Sequence, residues 1–151
     1  MGQAVRPGEV RTEQPLRADA AVTFIGRVRT PWMHRADCPR QGDRRGGPEC
    51  RIVLDPPWDA ALAGIEAFET LEALYWLNES RRDLLVQAPG HGGLRGTFAL
   101  RSPVRPNPIG TAFVTLLRRE GPVLVVRGLD CLDGTPLVDL KPDRCDHGSP
   151  R

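Results

Sequence analysis

Apolar residues in this chain fall into short runs separated by glycine and proline. Val22-Thr-Phe-Ile-Gly-Arg-Val-Arg29 is rich in β-branched and aromatic side chains and reads as a first strand, ended by Thr30-Pro31-Trp32. Arg51 to Leu54 reads as a second strand, stopped by Pro56-Pro57. Trp58 to Glu69 puts Leu62, Ile65 and Phe68 on one face of a short helix. Leu71 to Leu77 fits either a continuation of that helix or a strand, and the pair Tyr75-Trp76 favours the strand. Further strands are expected at Gly96 to Leu100, Gly110 to Leu117, Pro122 to Arg127 and Leu137 to Leu140, with turns at Glu120-Gly121 and Asp133-Gly134. Met33 to Glu49 and Asn78 to Leu94 are left as loops, and a long loop in a compact domain marks either function or disorder.

This pattern predicts an all-β fold, a mostly antiparallel β-barrel of about seven strands with one short helix. The strands do not alternate with long helices, which argues against a doubly wound sheet. At 151 residues the chain is one domain by length. Residues 1–20 are polar, carry Pro7 and Pro15, and read as a disordered N-terminal arm. Residues 21–142 hold the barrel, and 143–151 a loose C-terminal tail.

Charge changes the picture through its distribution more than its sum. A net charge of +2 is too small to argue for nucleic acid by itself. No carboxylate occurs from Leu84 to Arg119, however, while Arg95, Arg101, Arg105, Arg118 and Arg119 all do. Asp130, Asp133, Asp139, Asp143 and Asp146 reverse the balance downstream. Lys141 is the single lysine, so arginine is this chain's default base and its fork geometry is weak testimony for any one position. Cys38, Cys50, Cys131 and Cys145 form no C-x-x-C pair, and no histidine stands at zinc-ligand spacing. Reduced thiols without a metal are expected. With no apolar run near membrane length and no secretory apolar region, a cytoplasmic location is expected.

Arg101-Ser-Pro-Val-Arg-Pro-Asn-Pro-Ile-Gly110 is the most unusual stretch. Pro103, Pro106 and Pro108 fix φ and remove donors, so the segment is neither helix nor central strand. It is a stiff loop that presents Arg101, Ser102, Arg105 and Asn107, either as a surface turn or as a preorganised binding wall. No catalytic triad, paired carboxylates, P-loop or G-x-G-x-x-G is present. Candidate chemistry lies in loops 38–42, 78–82, 101–110 and 130–136.

Several of these segments together resemble one known family. They are Phe24-Ile-Gly-Arg-Val-Arg-Thr-Pro31, Pro39-Arg-Gln41, Gly64-Ile-Glu-Ala-Phe68, Gly96 through Gly110 with its R-S-x-x-R-P-N-P-I-G string, Gly128-Leu-Asp-Cys-Leu-Asp-Gly-Thr-Pro136 and Asp139-Leu-Lys-Pro142. In this order they are similar to the TsaA/TrmO-like (YaeB-like) S-adenosylmethionine-dependent methyltransferases. The resemblance implies a homodimeric β-barrel with the cofactor near the subunit interface, and N6-methylation of threonylcarbamoyl-adenosine beside the tRNA anticodon. It also implies a short form lacking the C-terminal domain of longer members. The chain departs from the family pattern at Asp143 and Asn78.

By the same resemblance the cofactor residues are Pro39, Arg40, Gln41, Asn78, Glu79, Arg101, Ala112, Leu132, Asp133, Gly134 and Thr135. The chemistry of S-adenosylmethionine fits them. An arginine, Arg101 or Arg40, suits the methionine carboxylate, and the open backbone at Gly134 suits the adenine edge. The methyl group arrives activated, so placing the acceptor matters more than acid–base catalysis. No base is assigned. Asp133 and Asp139 are the nearest carboxylates, either of which can instead cap a turn, and for Asp133 the turn cap is the preferred reading. Arg105 and Asn107 are candidates for substrate binding. Arg105, Arg95 and Arg82 face either phosphates or solvent. Trp32, Trp58, Tyr75 and Trp76 are expected in the core or a dimer interface rather than as stacking platforms, and His91 on a loop surface. The competing reading is a module or sensor that binds S-adenosylmethionine without transferring its methyl group.

Overall fold

Alternation of buried and exposed side chains builds nine strands among the residues that the computed structural model describes, 4–90 and 92–144. They are β1 (Val10–Arg11), β2 (Gly26–Arg29), β3 (Cys50–Leu54), β4 (Thr70–Trp76), β5 (Leu84–Gln87), β6 (Arg95–Gly96), β7 (Ile109–Glu120), β8 (Val123–Arg127) and β9 (Pro136–Pro142). Every described pairing is antiparallel. No helix among the described residues is long and apolar enough to cross a membrane.

The chain forms two compact units. The larger comprises Val22–Trp76 and Gly110–Arg151. In it six strands follow one another in a closed ring, β2-β3-β8-β7-β4-β9. The two-residue period is plain in β2, where Gly26 and Val28 are buried and Arg27 and Arg29 exposed. It is plain again in β4, where Leu71, Ala73 and Tyr75 point inward. Val28, Ile52, Leu71, Val114, Leu124 and Leu137 have no exposed surface and form the core. Burying each such side chain contributes about 1.5–3 kcal/mol. Burial also pushes the Cys50 thiol up to about 11, so it is a neutral core residue.

The smaller unit comprises Met1–Ala21 and Leu77–Ile109. Its sheet runs β1-β5-β6, with Val10 opposite Val86 and Val86 opposite Gly96. A buried polar network ties it together. Gln87 donates to the Thr97 hydroxyl and the Val104 carbonyl, both at 2.9 Å, and Thr97 donates to the Leu84 carbonyl at 2.6 Å. Satisfying these groups matters because a buried amide without partners costs roughly 1–3 kcal/mol.

Several expectations change. The helix expected over Trp58 to Glu69 is two 3-10 turns, Trp58–Leu62 and Ile65–Ala67, divided by Ala63-Gly64, where Gly64 has φ 83°. Gly96 to Leu100 is not a strand. β6 ends at Gly96, and Thr97–Ala99 is a 3-10 turn because the Thr97 side chain is drawn into the buried network. Leu84–Gln87, expected as loop, is a strand whose Leu84 and Gln87 are buried. Val10–Arg11, within the segment expected as an unstructured arm, pairs with β5. Leu71 to Leu77 takes the strand alternative, as β4. His91, Cys145, Asp146 and most of the tail lie outside the described residues.

Candidate functional site

The Asp-Gly-Thr connector between β8 and β9 is laced to β2 by its own backbone. Asp133 N–H donates to the Trp32 carbonyl at 2.8 Å, Gly134 N–H to Val28 at 2.9 Å, and Val28 N–H to the Thr135 carbonyl at 3.0 Å. Asp133 Oδ1 accepts from the Thr30 N–H at 3.0 Å and pairs with Arg29 Nε at 3.3 Å. Thr135 is buried and its hydroxyl turns back to the Leu132 carbonyl at 2.7 Å. Two of the four cofactor candidates on this loop therefore use their side chains to hold its shape. Gly134 has φ 78°, a left-handed conformation that favours glycine, and nothing lies within 4 Å of where a Cβ would stand. Backbone is open there to a close ligand.

Other segments of the larger unit converge on this connector. The Tyr75 hydroxyl on β4 donates a short hydrogen bond to Asp130. Gly110, at the start of β7, packs so closely on the Tyr75 ring that a Cβ would run into its carbons. Ala112, two residues on, is buried. Gly42 abuts the Gly128 carbonyl just as tightly. The Cys38 thiol is pushed up, first by burial and then by the nearby Asp130 carboxylate. Burial and Asp130 likewise push up Cys131. The loop holding Pro39, Arg40 and Gln41 thus meets the connector through its ends, with Pro39 half-buried and Arg40 and Gln41 exposed. Asp139 is spent elsewhere, on Lys141 Nζ at 2.7 Å and on the Leu140 N–H at 2.8 Å.

The remaining candidates lie in the smaller unit. Asn78 and Glu79 are exposed in a turn closed by the Ser80 N–H on the Leu77 carbonyl. Arg101 is exposed and makes no hydrogen bond or ion pair among the described residues. Its guanidinium is free for an anion such as a carboxylate. Arg105 curls back onto its own loop, donating to the Leu100 carbonyl at 2.6 Å and towards Ser102 at 3.4 Å. Ser102 Oγ accepts the Val104 N–H at 3.2 Å. Arg82 donates to the Pro106 carbonyl and reaches Asn107 Oδ1 at 3.5 Å. Arg105 and Asn107 are therefore engaged in the loop's architecture. Arg29 and Thr30, which position Asp133, were absent from the candidates, and nothing local in the sequence marks a strand end as the partner of a carboxylate a hundred residues later.

Convergent loops with open backbone beside a closed strand ring are the make-up of an all-β domain that holds a small ligand. The family model described as the tRNA-methyltransferase O N-terminal domain matches residues 27–146, and the chain belongs to that family. It is 52% identical over 141 residues to a Rhizobium radiobacter protein named "Probable S-adenosyl-L-methionine-binding protein VirR", which covers 93% of this chain and 80% of that protein. It is 35% identical over 129 residues to the tRNA (adenine(37)-N6)-methyltransferase of Escherichia coli strain K12, across 78% of this chain and 55% of the enzyme. Among solved structures it is similar to TrmO from P. aeruginosa, with TM-score 0.71 and 30% identity, over 89% of this chain and 61% of that one. The chain thus spans less than two thirds of both of these last two proteins.

Proposed function

We propose that this protein is an S-adenosyl-L-methionine-dependent methyltransferase acting on tRNA, that it works in the cytoplasm as a homodimer, and that its strand ring is a β-barrel. The observation that carries the reading is the match to the Escherichia coli tRNA methyltransferase, supported by membership of the same N-terminal-domain family over residues 27–146. The VirR-like relative and an Archaeoglobus fulgidus S-adenosyl-L-methionine-binding protein, 42% identical over 118 residues, support the cofactor.

The residues present fit that cofactor. When bound, S-adenosyl-L-methionine supplies a methyl group on a positive sulfur. The Leu132–Thr135 backbone, left open at Gly134 and clamped to β2, suits the edge of an adenine. Pro39, Arg40, Gln41 and Ala112 are proposed to contribute from the same unit. Arg101, exposed and without a partner among the described residues, suits a carboxylate by a bidentate contact, and Asn78 and Glu79 add exposed polar groups. Holding the acceptor in line is then the main task of the protein, since orientation supplies most of the rate in such a transfer.

Calorimetry with S-adenosyl-L-methionine, followed by transfer from methyl-labelled cofactor to total tRNA from a strain lacking this protein, tests the proposal. Binding with label in tRNA is the expected result. Binding without label in any RNA leaves a cofactor-binding module, and no binding removes the proposal altogether.

A further inference from the structure

Phe98 is 82% exposed, more than any other large apolar side chain among the described residues. It sits in the 3-10 turn Thr97–Ala99 of the smaller unit. This turn is held from both sides. Thr97, immediately before the ring, is 4% exposed and its hydroxyl is locked between Gln87 and the Leu84 carbonyl. Leu100, just after, closes the turn through its N–H on the Thr97 carbonyl at 3.2 Å, and its own carbonyl is gripped by Arg105. The Arg105 guanidinium also lies over the Phe98 ring, 5.9 Å from its centroid. A loop that merely tolerated an apolar side chain would not need it raised on a rigid support, with a cation set over one face.

The stretch of sequence around the turn is one-signed. Arg95 and Arg101 flank the turn in sequence, are exposed, and have no partner among the described residues. No carboxylate occurs between Leu84 and Arg119. Elsewhere this unit carries Glu9, Glu13, Asp19, Glu79 and Asp83, of which Glu9 is engaged by the Arg6 and Ala88 backbone and Asp83 by Arg81. An open aromatic face with exposed arginines near it in sequence matches a nucleotide whose base is unstacked from its neighbours. The ring takes the flat base and the arginines take the phosphates. A duplex has no free base face to offer and would use the arginines alone.

We propose that Phe98 is a stacking platform for an unpaired base of the RNA acceptor, with Arg95 on an adjoining phosphate. This rests on the reading of the protein as an RNA methyltransferase and adds the contact that distinguishes unpaired from paired substrate.

The test uses the full chain, a fluorescein-labelled oligoadenylate of roughly twelve nucleotides, and an RNA duplex of the same length, read by anisotropy over a salt series. Phe98→Ala and Phe98→Leu weaken oligoadenylate binding on the order of tenfold and leave duplex binding unchanged, while Phe98→Trp restores it. Arg95→Ala lowers the salt slope by about one. Circular dichroism confirms that each variant is folded, and sedimentation reports its oligomeric state. Unchanged oligoadenylate affinity in both Phe98→Ala and Phe98→Leu overturns the proposal. So does equal weakening for the duplex, or no binding of RNA by the wild type. Loss of a dimer with RNA affinity intact assigns the ring to a contact between copies and also overturns it. Calorimetry with S-adenosyl-L-methionine separates the two readings. A protein that binds cofactor and methylates tRNA but ignores the loss of Phe98 sinks this inference alone. One that binds oligoadenylate through Phe98 but not cofactor sinks the methyltransferase reading alone.

Discussion

The hydroxyl of Tyr75 donates to the carboxylate of Asp130 across 55 positions of sequence, tying β4 to the start of the connector that carries the candidate cofactor loop. The Tyr75 ring is itself gripped by Gly110, which leaves no room for a Cβ. Tyr75→Phe removes a hydrogen bond to a charged group and is expected to destabilise the fold by about 1.5–3 kcal/mol. Gly110→Ala overpacks the same ring and is expected to cost about 1–3 kcal/mol. Urea unfolding midpoints at constant slope check both. A wild-type midpoint in Tyr75→Phe removes the link from the stability of the site.

Asp133 is expected to act as a brace. Its Oδ1 holds the Thr30 N–H and Arg29, and Arg29 is 58% exposed. Asp133→Asn keeps an acceptor for Thr30 and loses an ion pair whose arginine is exposed to solvent, a change of about 1 kcal/mol. Methyl transfer is expected to fall no more than a few-fold. Abolished transfer with unchanged cofactor affinity would make Asp133 a proton acceptor instead.

Arg101 and Arg105 are four residues apart and are expected to behave differently. Arg101→Ala removes an exposed guanidinium with no partner among the described residues and is expected to leave stability unchanged while weakening cofactor binding by about 1.5–3 kcal/mol. Arg105→Ala frees the Leu100 carbonyl and the loop that bears it, and is expected to lower stability. Paired thermal melts and calorimetry distinguish them, and equal effects in both assays would overturn the assignment.

Acid is expected to act on the smaller unit through two carboxylates. The bidentate Arg81 holds Asp83 below its ordinary range, and the N–H groups of Arg6 and Ala88 hold Glu9 below its own. A carboxylate depressed in the folded state stabilises fully above its unfolded value, roughly 4, and loses that contribution as pH falls through the folded value. Stability is therefore expected to fall on acidification through and below about pH 4, and Asp83→Asn with Glu9→Gln should flatten that limb. Unfolding curves from neutral pH downward provide the measurement. An unaltered acid limb in the double variant contradicts the assignment.

Much of the strand set was legible because alternation and turn chemistry are local. Gly26 and Val28 with Arg27 and Arg29 show the two-residue period in four positions. Asp133-Gly134 marks its turn with a residue that takes positive φ at no steric cost. β5 was missed because its Leu-Leu-Val-Gln has no alternation to read. Gln87 is buried by a hydrogen-bond network rather than by apolar character. The Thr97 turn was missed for the same reason, since a threonine before phenylalanine reads locally as strand.

For the candidate site the division is similar. The sequence by itself determined which loops are stiff, that Gly134 offers backbone without a side chain, and where carboxylates are absent around Arg95, Arg101 and Arg105, because these follow from residue type and neighbour alone. Only the tertiary structure decided that β2 closes the ring between β3 and β9, that Arg29 and Thr30 brace Asp133, and that Arg105 turns inward while Arg101 stays free. Those outcomes depend on pairing between distant segments. A side chain's partner is then set by the register in which two strands meet, and nothing within a few residues of either one records it.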